Sequence, residues 1–337
     1  MKFYRMASLV LAAAMLITLI SGCKVVREEV DIMPLMDANT TTEAIAATEE
    51  AATTAGSEIV EPSVRTVDLD DEANATIKRW VEEIGPDERP SEYPMRNGKT
   101  ITVKRTGIFL RDEKTKKETV LLESKISEIE ETNEYPQVEQ LLDDRYFAYT
   151  VGSWEDQAGA GVYDTVRMKA IPIEAPQGKR YMDSYNFQAV CGDTLYLRGP
   201  VHNTVELGPL QIFAVDLRGL DKAETLKAGE DLLKNVPEAK FEDLQGECYN
   251  STISPNGRYC AVQAEQANRD PAGNGIVAVF DLHQKAFVMR MEKPANMSTY
   301  QDIAFFGNNT LYVYGKVFTY HLQQWEFAHE ILEIKFY

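Results

Sequence analysis

Histidine, tryptophan and cysteine are scarce in this 337-residue chain, at four, three and four copies, and their scarcity narrows the chemistry open to it. His202, His283, His321 and His329 show no metal-ligand spacing, so each reads as a solvated or core residue. His329-Glu330-Ile331-Leu332-Glu333 begins like a zincin helix, but a glutamate stands where the second histidine is required. There is no Gly-x-Ser-x-Gly elbow for a serine nucleophile. Asn97-Gly98-Lys99-Thr100 ends like a phosphate-binding loop, yet Tyr93 occupies the place of its first glycine. Gly159-Ala160-Gly161 lacks the rest of a dinucleotide loop and reads as a turn. Asp68, Asp70 and Glu72 alternate like calcium ligands. Ala73 replaces the loop glycine and Arg79 the bidentate acid, so helix capping explains those carboxylates better. No metal site, cofactor or catalytic residue is assigned.

A basic excess is also missing. Lys and Arg number 35 against 53 Asp and Glu, a net charge of −18. A field of that sign repels phosphate backbones, so nucleic acid is not an expected partner. Nor is there an apolar run of about 20 residues, the length a membrane-spanning helix needs. The longest, Ala7 to Ile20, is about 14 residues and comes after Lys2 and Arg5, which is the layout of a secretory signal. Ile20-Ser21-Gly22-Cys23 closes it and resembles the lipobox of bacterial lipoproteins. That resemblance implies cleavage after residue 22, lipid on Cys23, and a chain held on the outer face of the cell membrane. Two or more acyl chains anchor stably where one does not. Removing residues 1–22 deletes two cations and no acid, leaving a charge of −20. Cys191, Cys248 and Cys260 remain, with no Cys-x-x-Cys pair. A tight turn at Asn256-Gly257 places Cys248 nearer position 265 than 260, which argues against a Cys248–Cys260 disulfide.

Residues 23–65 are rich in Thr, Ala and Glu and poor in large apolar side chains, so they cannot offset their ordering entropy. They read as a disordered tether with a reach of roughly 35 Å. Residues 66–90 hold one amphipathic helix. Ala73, Ile77, Trp80, Val81 and Ile84 share a face, Asp70 or Asp71 caps it, and Gly85-Pro86 stops it. The helix is expected to dock on the outside or one face of the domain formed by residues 91–337.

From residue 91 to 337 the pattern is strand-like and repeats. Five polar turn pairs each precede an alternating run: Asn97-Gly98, Asp143-Asp144, Gly192-Asp193, Asn256-Gly257 and Asn308-Asn309. Their spacings are 46, 49, 64 and 52 residues. A tyrosine precedes each pair (Tyr93, Tyr135, Tyr185, Tyr249, Tyr300), and each is succeeded by a second hairpin. Four antiparallel strands at a period near fifty residues make the blade of a β-propeller. The fold class is therefore all-β, a small propeller of about five four-stranded blades. Pro94 weakens the first strand of the first unit, and the C-terminal residues 331–337 are expected to replace it and close the ring. Ile253-Ser254-Pro255-Asn256-Gly257-Arg258-Tyr259 resembles the turn of WD40-like repeats in TolB-like propellers. This resemblance covers one unit well and implies a protein-binding surface.

In such a blade the connection between the second and third strands shares one end with the connections between blades. Here those connections are long: Ser153 to Ala160, Arg198 to Pro209 and Gln266 to Asn274. The opposite end has short turns, apart from an insertion at Asp221 to Ala239. Long loops on a rigid scaffold are where binding tends to reside. Trp154, Glu155, Asp156, Tyr135, Tyr185, Tyr249, Tyr300 and His202 are the candidate ligand-binding residues, with aromatics beside carboxylates suiting a protein, peptide or glycan partner. The alternative for the tyrosines is packing between blades. Two other functions are compatible with the sequence: an envelope enzyme or accessory subunit with carboxylates at the channel mouth, and a structural subunit of an envelope assembly.

Overall fold

The structure, a computed structural model, describes residues 62–83, 90–126, 133–152, 157–174, 186–199, 210–241, 248–265, 275–294, 299–321 and 324–336. The leading segment contributes a short strand, β1 (Ser63–Thr66), and one helix, α1 (Ala75–Glu83). Blade one is β2 (Glu92–Pro94), β3 (Lys99–Lys104), β4 (Gly107–Asp112) and β5 (Glu118–Glu123). Blade two is β6 (Tyr135–Leu141), β7 (Tyr146–Gly152), β8 (Gln157–Asp164) and β9 (Lys169–Glu174). Blade three is β10 (Asn186–Cys191), β11 (Thr194–Arg198), β12 (Ile212–Asp216) and β13 (Leu226–Asp231). Blade four is β14 (Cys248–Ile253), β15 (Tyr259–Glu265), β16 (Gly275–Asp281) and β17 (Ala286–Glu292). In each blade the strands pair antiparallel in chain order. The outer strands of blades two and three touch through a short parallel pairing of Leu226-Lys227 with Ile173-Glu174. The fold is a β-propeller of five four-stranded blades.

Blade five departs from the order expected of it. It consists of β18 (Thr299–Phe305), β19 (Thr310–His321), β20 (Gln324–Lys335) and, as its outer strand, β1. The expected second hairpin is absent because β19 and β20 are each 12 residues long and pair along their whole length. β1 supplies the missing strand: Ser63 pairs with Lys335 and Thr66 with Leu332. Closure thus comes from the N-terminal side, and the C-terminal strand does not pair with blade one. Blade one needs no replacement, since Glu92–Pro94 pairs with residues 100–102 despite the proline. β1 also begins three residues inside the stretch assigned to the tether.

All five polar pairs sit in the turn between a blade's first and second strands. Gly98, Gly192 and Gly257 have φ of 75°, 57° and 71°, the left-handed region that glycine enters without a Cβ penalty. The second turns share a device that sequence patterning did not suggest. Asp112, Asp164, Asp216 and Asp281 each end a third strand, and each side chain accepts backbone N–H groups of its own turn. Arg145 and Arg258 bind Asp164 and Asp281 from the adjacent first turns at 2.7 and 2.8 Å. Two buried carboxylates are thereby satisfied, as burial requires.

The core lies between blades. One apolar cluster joins blades one and two around Ile101, Ile108 and Phe147, and another joins two and three around Val162, Leu195 and Val215. A third joins three and four around Ile212, Cys260 and Phe280, and a fourth joins four and five around Val279, Leu311 and Ile334. The fifth cluster has a different composition. Ile77 and Trp80 of α1 cover Tyr312, Tyr314 and Ile331 on the free face of blade five. The amphipathic helix therefore docks as expected, against the last blade. A 3-10 turn, Glu72–Asn74, precedes α1, and Asp71 caps it by accepting from the Ala73 N–H.

Candidate functional site

Strand direction sorts the connections. Within each blade the first strand runs toward the polar turn pair and the second runs back. The connections after second strands and those between blades accordingly share one end, here the loop end, and both kinds of hairpin turn share the other, the turn end. β8 begins at Gln157, so the expected Trp154 loop is shorter than Ser153 to Ala160; likewise Arg198 belongs to β11. The supposed insertion at Asp221 to Ala239 is not one. It contains β13, which carries the chain from the turn end back to the loop end, where Leu210 donates to the Ala239 carbonyl. The half-buried Asp231 carboxylate accepts from the Ile212 and Leu233 N–H groups there at 3.1 and 3.0 Å. Burial pushes its pKa upward against those bonds.

Of the candidate binding residues, Trp154, Glu155, Asp156, Tyr185 and His202 lie outside the described residues, as does Cys23. Tyr135, Tyr249 and Tyr300 occupy the first or second positions of β6, β14 and β18, at the loop end. The side chains of Tyr249 and Tyr300 lie outside the description. Tyr135 is half-buried, and its hydroxyl accepts from the Asn133 amide at 3.0 Å. Tyr93, their counterpart in blade one, does not line a channel mouth. It is buried between blades one and two, and its hydroxyl donates to the Val138 carbonyl at 3.2 Å. Packing between blades, the alternative reading, holds for that tyrosine.

Below the loop end lies a feature that the sequence did not announce: a polar band along the innermost strands. The register slips by one residue at Glu139 in β6, Gln188 in β10 and Gln301 in β18, so three inner strands carry a bulge, those of β6 and β10 at corresponding places. A bulge re-aims a side chain and twists its strand. Glu139 accepts from the Thr150 hydroxyl at 2.5 Å. The Gln140 side-chain amide oxygen accepts from the Val190 N–H of the next blade at 3.2 Å. Ser251 of blade four donates to Gln188 of blade three at 2.6 Å, and Arg198 donates to the same serine at 3.3 Å. Asn250 donates to Asp302 of blade five at 2.7 Å. Blades two to five are thus linked near the axis by hydrogen bonds to side chains as well as by apolar contact. Gln188, Arg198, Ser251 and Asp302 are all buried. The only sequence signal was a polar residue interrupting each inner strand two to five positions after its tyrosine.

The two described thiols offer no nucleophile. Cys191 and Cys260 are unpaired, and burial pushes them up to about 11 and about 12, so neither is a thiolate at neutral pH. Cys248 pairs in register with Glu265, and Cys260 with Ile253, as the turn geometry predicts. Among the described residues no group of three His, Cys, Asp or Glu is placed to hold a metal ion, and no helix is long and apolar enough to cross a membrane.

The class defined by this architecture is a propeller with long connections at one end and a hydrogen-bonded polar band behind them. Similar solved structures include hydrazine synthase from Kuenenia stuttgartiensis, at 13% identity and a TM-score of 0.40 over 71% of this chain and 60% of that one. Regucalcin, a calcium-binding protein from Agrobacterium tumefaciens, aligns at 15% identity and a TM-score of 0.35, covering 73% of this chain and 76% of its own. A chain of the mitotic checkpoint complex aligns at 11% identity and 0.37, covering 86% and 75%. This chain spans about six tenths of the hydrazine synthase chain. At TM-scores below 0.5 none of the three bears on what it binds. No protein-family model and no curated protein sequence matches it.

Proposed function

We propose that the chain is a lipid-anchored, extracytoplasmic binding protein that holds a protein, peptide or glycan partner at the loop end of its propeller. One observation supports this reading: the start of β1 and the connections after second strands lie at opposite ends of the ring. Ser63 pairs with Lys335 at the turn end, so the segment leading back to Cys23 departs from there. The long connections after β11 and β15, and the shorter one after β7 that holds Trp154, leave from the other end. The blades behind them are tied through buried polar contacts, the kind of rigid support that lets variable loops present a surface.

Two experiments test the reading separately. Metabolic labelling with an alkyne fatty acid is expected to mark the chain, and Cys23→Ser is expected to abolish the label; labelling that persists in that variant overturns the anchor. A screen of the unlipidated chain against peptidoglycan fragments, glycans and envelope proteins is expected to yield a binder. Trp154→Ala and Tyr249→Ala should each weaken it by about tenfold or more, as central aromatic contacts do. A binder indifferent to both overturns the assignment of the surface.

A further inference from the structure

We infer that the turn end carries a basic arc, spanning blades four, five and one, that docks on anionic lipid headgroups of the membrane holding the anchor. The inference rests on the lipid-anchor reading above and adds an orientation to it. The arc comprises the turns at residues 95–99, 112–117, 254–258, 281–285 and 306–309, with Lys335 at the end of β20. These hold eight cations (Arg96, Lys99, Lys114, Lys116, Lys117, Arg258, Lys285 and Lys335) and three acids. All three acids are engaged within the fold. Asp112 accepts from the Thr115 N–H, Glu113 from Arg111 and Lys116, and Asp281 from its own turn and Arg258. Arg96, Lys114, Lys116, Lys117 and Lys285 are exposed.

The corresponding turns of blades two and three, residues 142–145, 164–168, 192–193 and 216–225, hold four cations and seven acids. The excess of positive charge is therefore local, in a chain whose net charge is −18. It flanks the place where the chain toward Cys23 departs, since β1 is the outer strand of blade five. A lipid on Cys23 confines this end of the ring to within the reach of the 39 residues between it and Ser63, roughly 35 Å. Close to an anionic leaflet each cation gains about fivefold in binding, and the gain falls off within a Debye length. Docking there faces the loop end outward.

The test uses residues 24–337 without lipid, a chain that retains every described strand and the strand that closes the ring. Sedimentation with phosphatidylcholine vesicles containing phosphatidylglycerol is expected to carry the chain down at low salt and much less at roughly 0.5 M. Pure phosphatidylcholine should not bind it. Lys114→Glu/Lys116→Glu/Lys117→Glu is expected to lose tenfold or more in binding. Arg96→Gln/Lys285→Gln, a milder pair that spares the blade-one hairpin, is expected to lose severalfold. Arg105→Glu, at the loop end, should change nothing. Equal binding to both vesicles, or binding untouched by either arc variant, overturns the inference. Residues 28–61 carry nine acids and no Lys or Arg, and could cover the arc instead. Vesicle binding seen only after they are removed would also overturn docking in the mature chain. Because the probe has no lipid, none of these outcomes touches the anchor, which fatty-acid labelling reads alone.

Discussion

One buried carboxylate helps to hold β1 on blade five, and its energetics can be worked from the structure. Glu333 of β20 is buried, with its side chain only 5% exposed. It accepts from Arg65 of β1 at 2.5 and 3.0 Å, from the Tyr312 hydroxyl at 2.5 Å and from Lys335 at 3.1 Å. The Arg65 guanidinium, first among these, holds the Glu333 pKa down to about 2 from an ordinary 4.5. At about 1.36 kcal/mol per unit the gross linkage is about 3.4 kcal/mol. Arg65 is more than half in water, which screens the pair, so about 2 kcal/mol is the expected cost of Glu333→Gln at neutral pH. That corresponds to a melting temperature lowered by roughly 4–8 °C in a domain of this size. The group's pKa is depressed by folding, so its contribution is complete above about 4.5 and fades as pH falls toward 2. Thermal melts of the wild type and Glu333→Gln should therefore differ most at pH 7 and converge below pH 3. Arg65→Ala should cost more than Glu333→Gln, because it leaves a buried carboxylate without its main partner, whereas the second leaves a solvated guanidinium. The double variant should resemble Glu333→Gln alone. A gap between wild type and Glu333→Gln that stays constant from pH 7 to pH 3, or an Arg65→Ala variant as stable as the wild type, would refute this account of closure.

Removing β1 outright, with a chain beginning at Val67, should expose the edge of β20 and produce dimers or aggregates by size-exclusion chromatography, since an open strand edge templates pairing. Trp80→Ala should cost about 3–5 kcal/mol in denaturant unfolding, because Trp80 is 2% exposed and stacks edge-on against Phe306 and Tyr314. Gly161→Ala should cost about 1–3 kcal/mol, since a Cβ there would stand 2.6 Å from the Tyr149 hydroxyl and 2.7 Å from the Ile171 carbonyl. Cys260 should resist iodoacetamide at neutral pH in the folded chain and react once unfolded, read by mass spectrometry of the alkylated peptide; rapid labelling of the native chain would contradict its burial.

Much of the fold was legible because its signals are local. A turn pair, a period-two run and a second hairpin all fall within some fifty residues, and they recur. What escaped was whatever depends on distant pairing. Ser-Val-Arg-Thr at residues 63–66 carries no pattern of its own beside a Thr/Ala/Glu-rich run. It becomes a strand only because β20, some 270 residues later, presents an unpaired edge and Glu333 a buried charge. The error at blade five has the same origin. Residues 316–332 read as a second hairpin of their own, yet β18 still flanks Lys316 and β20 pairs with β19 across it without a break. One repeated signal was local and was still overlooked: the aspartates that close residues 109–112, 161–164, 213–216 and 279–281.

The candidate site was less legible than the scaffold, for a physical reason. A bulge at Glu139 or Gln188 depends on how a strand twists against its neighbour, and alternation cannot register one extra residue. Polar residues in an inner strand look like flaws until the next blade supplies their partner, as Gln188 does for Ser251 and Asp302 for Asn250. The same contacts bear on function. Blades two to five commit inner-strand polar groups to their neighbours, which favours the loop end over the channel in the proposed reading. A ligand whose binding survives loss of the loop aromatics yet fails in Gln188→Leu would place recognition in the channel instead.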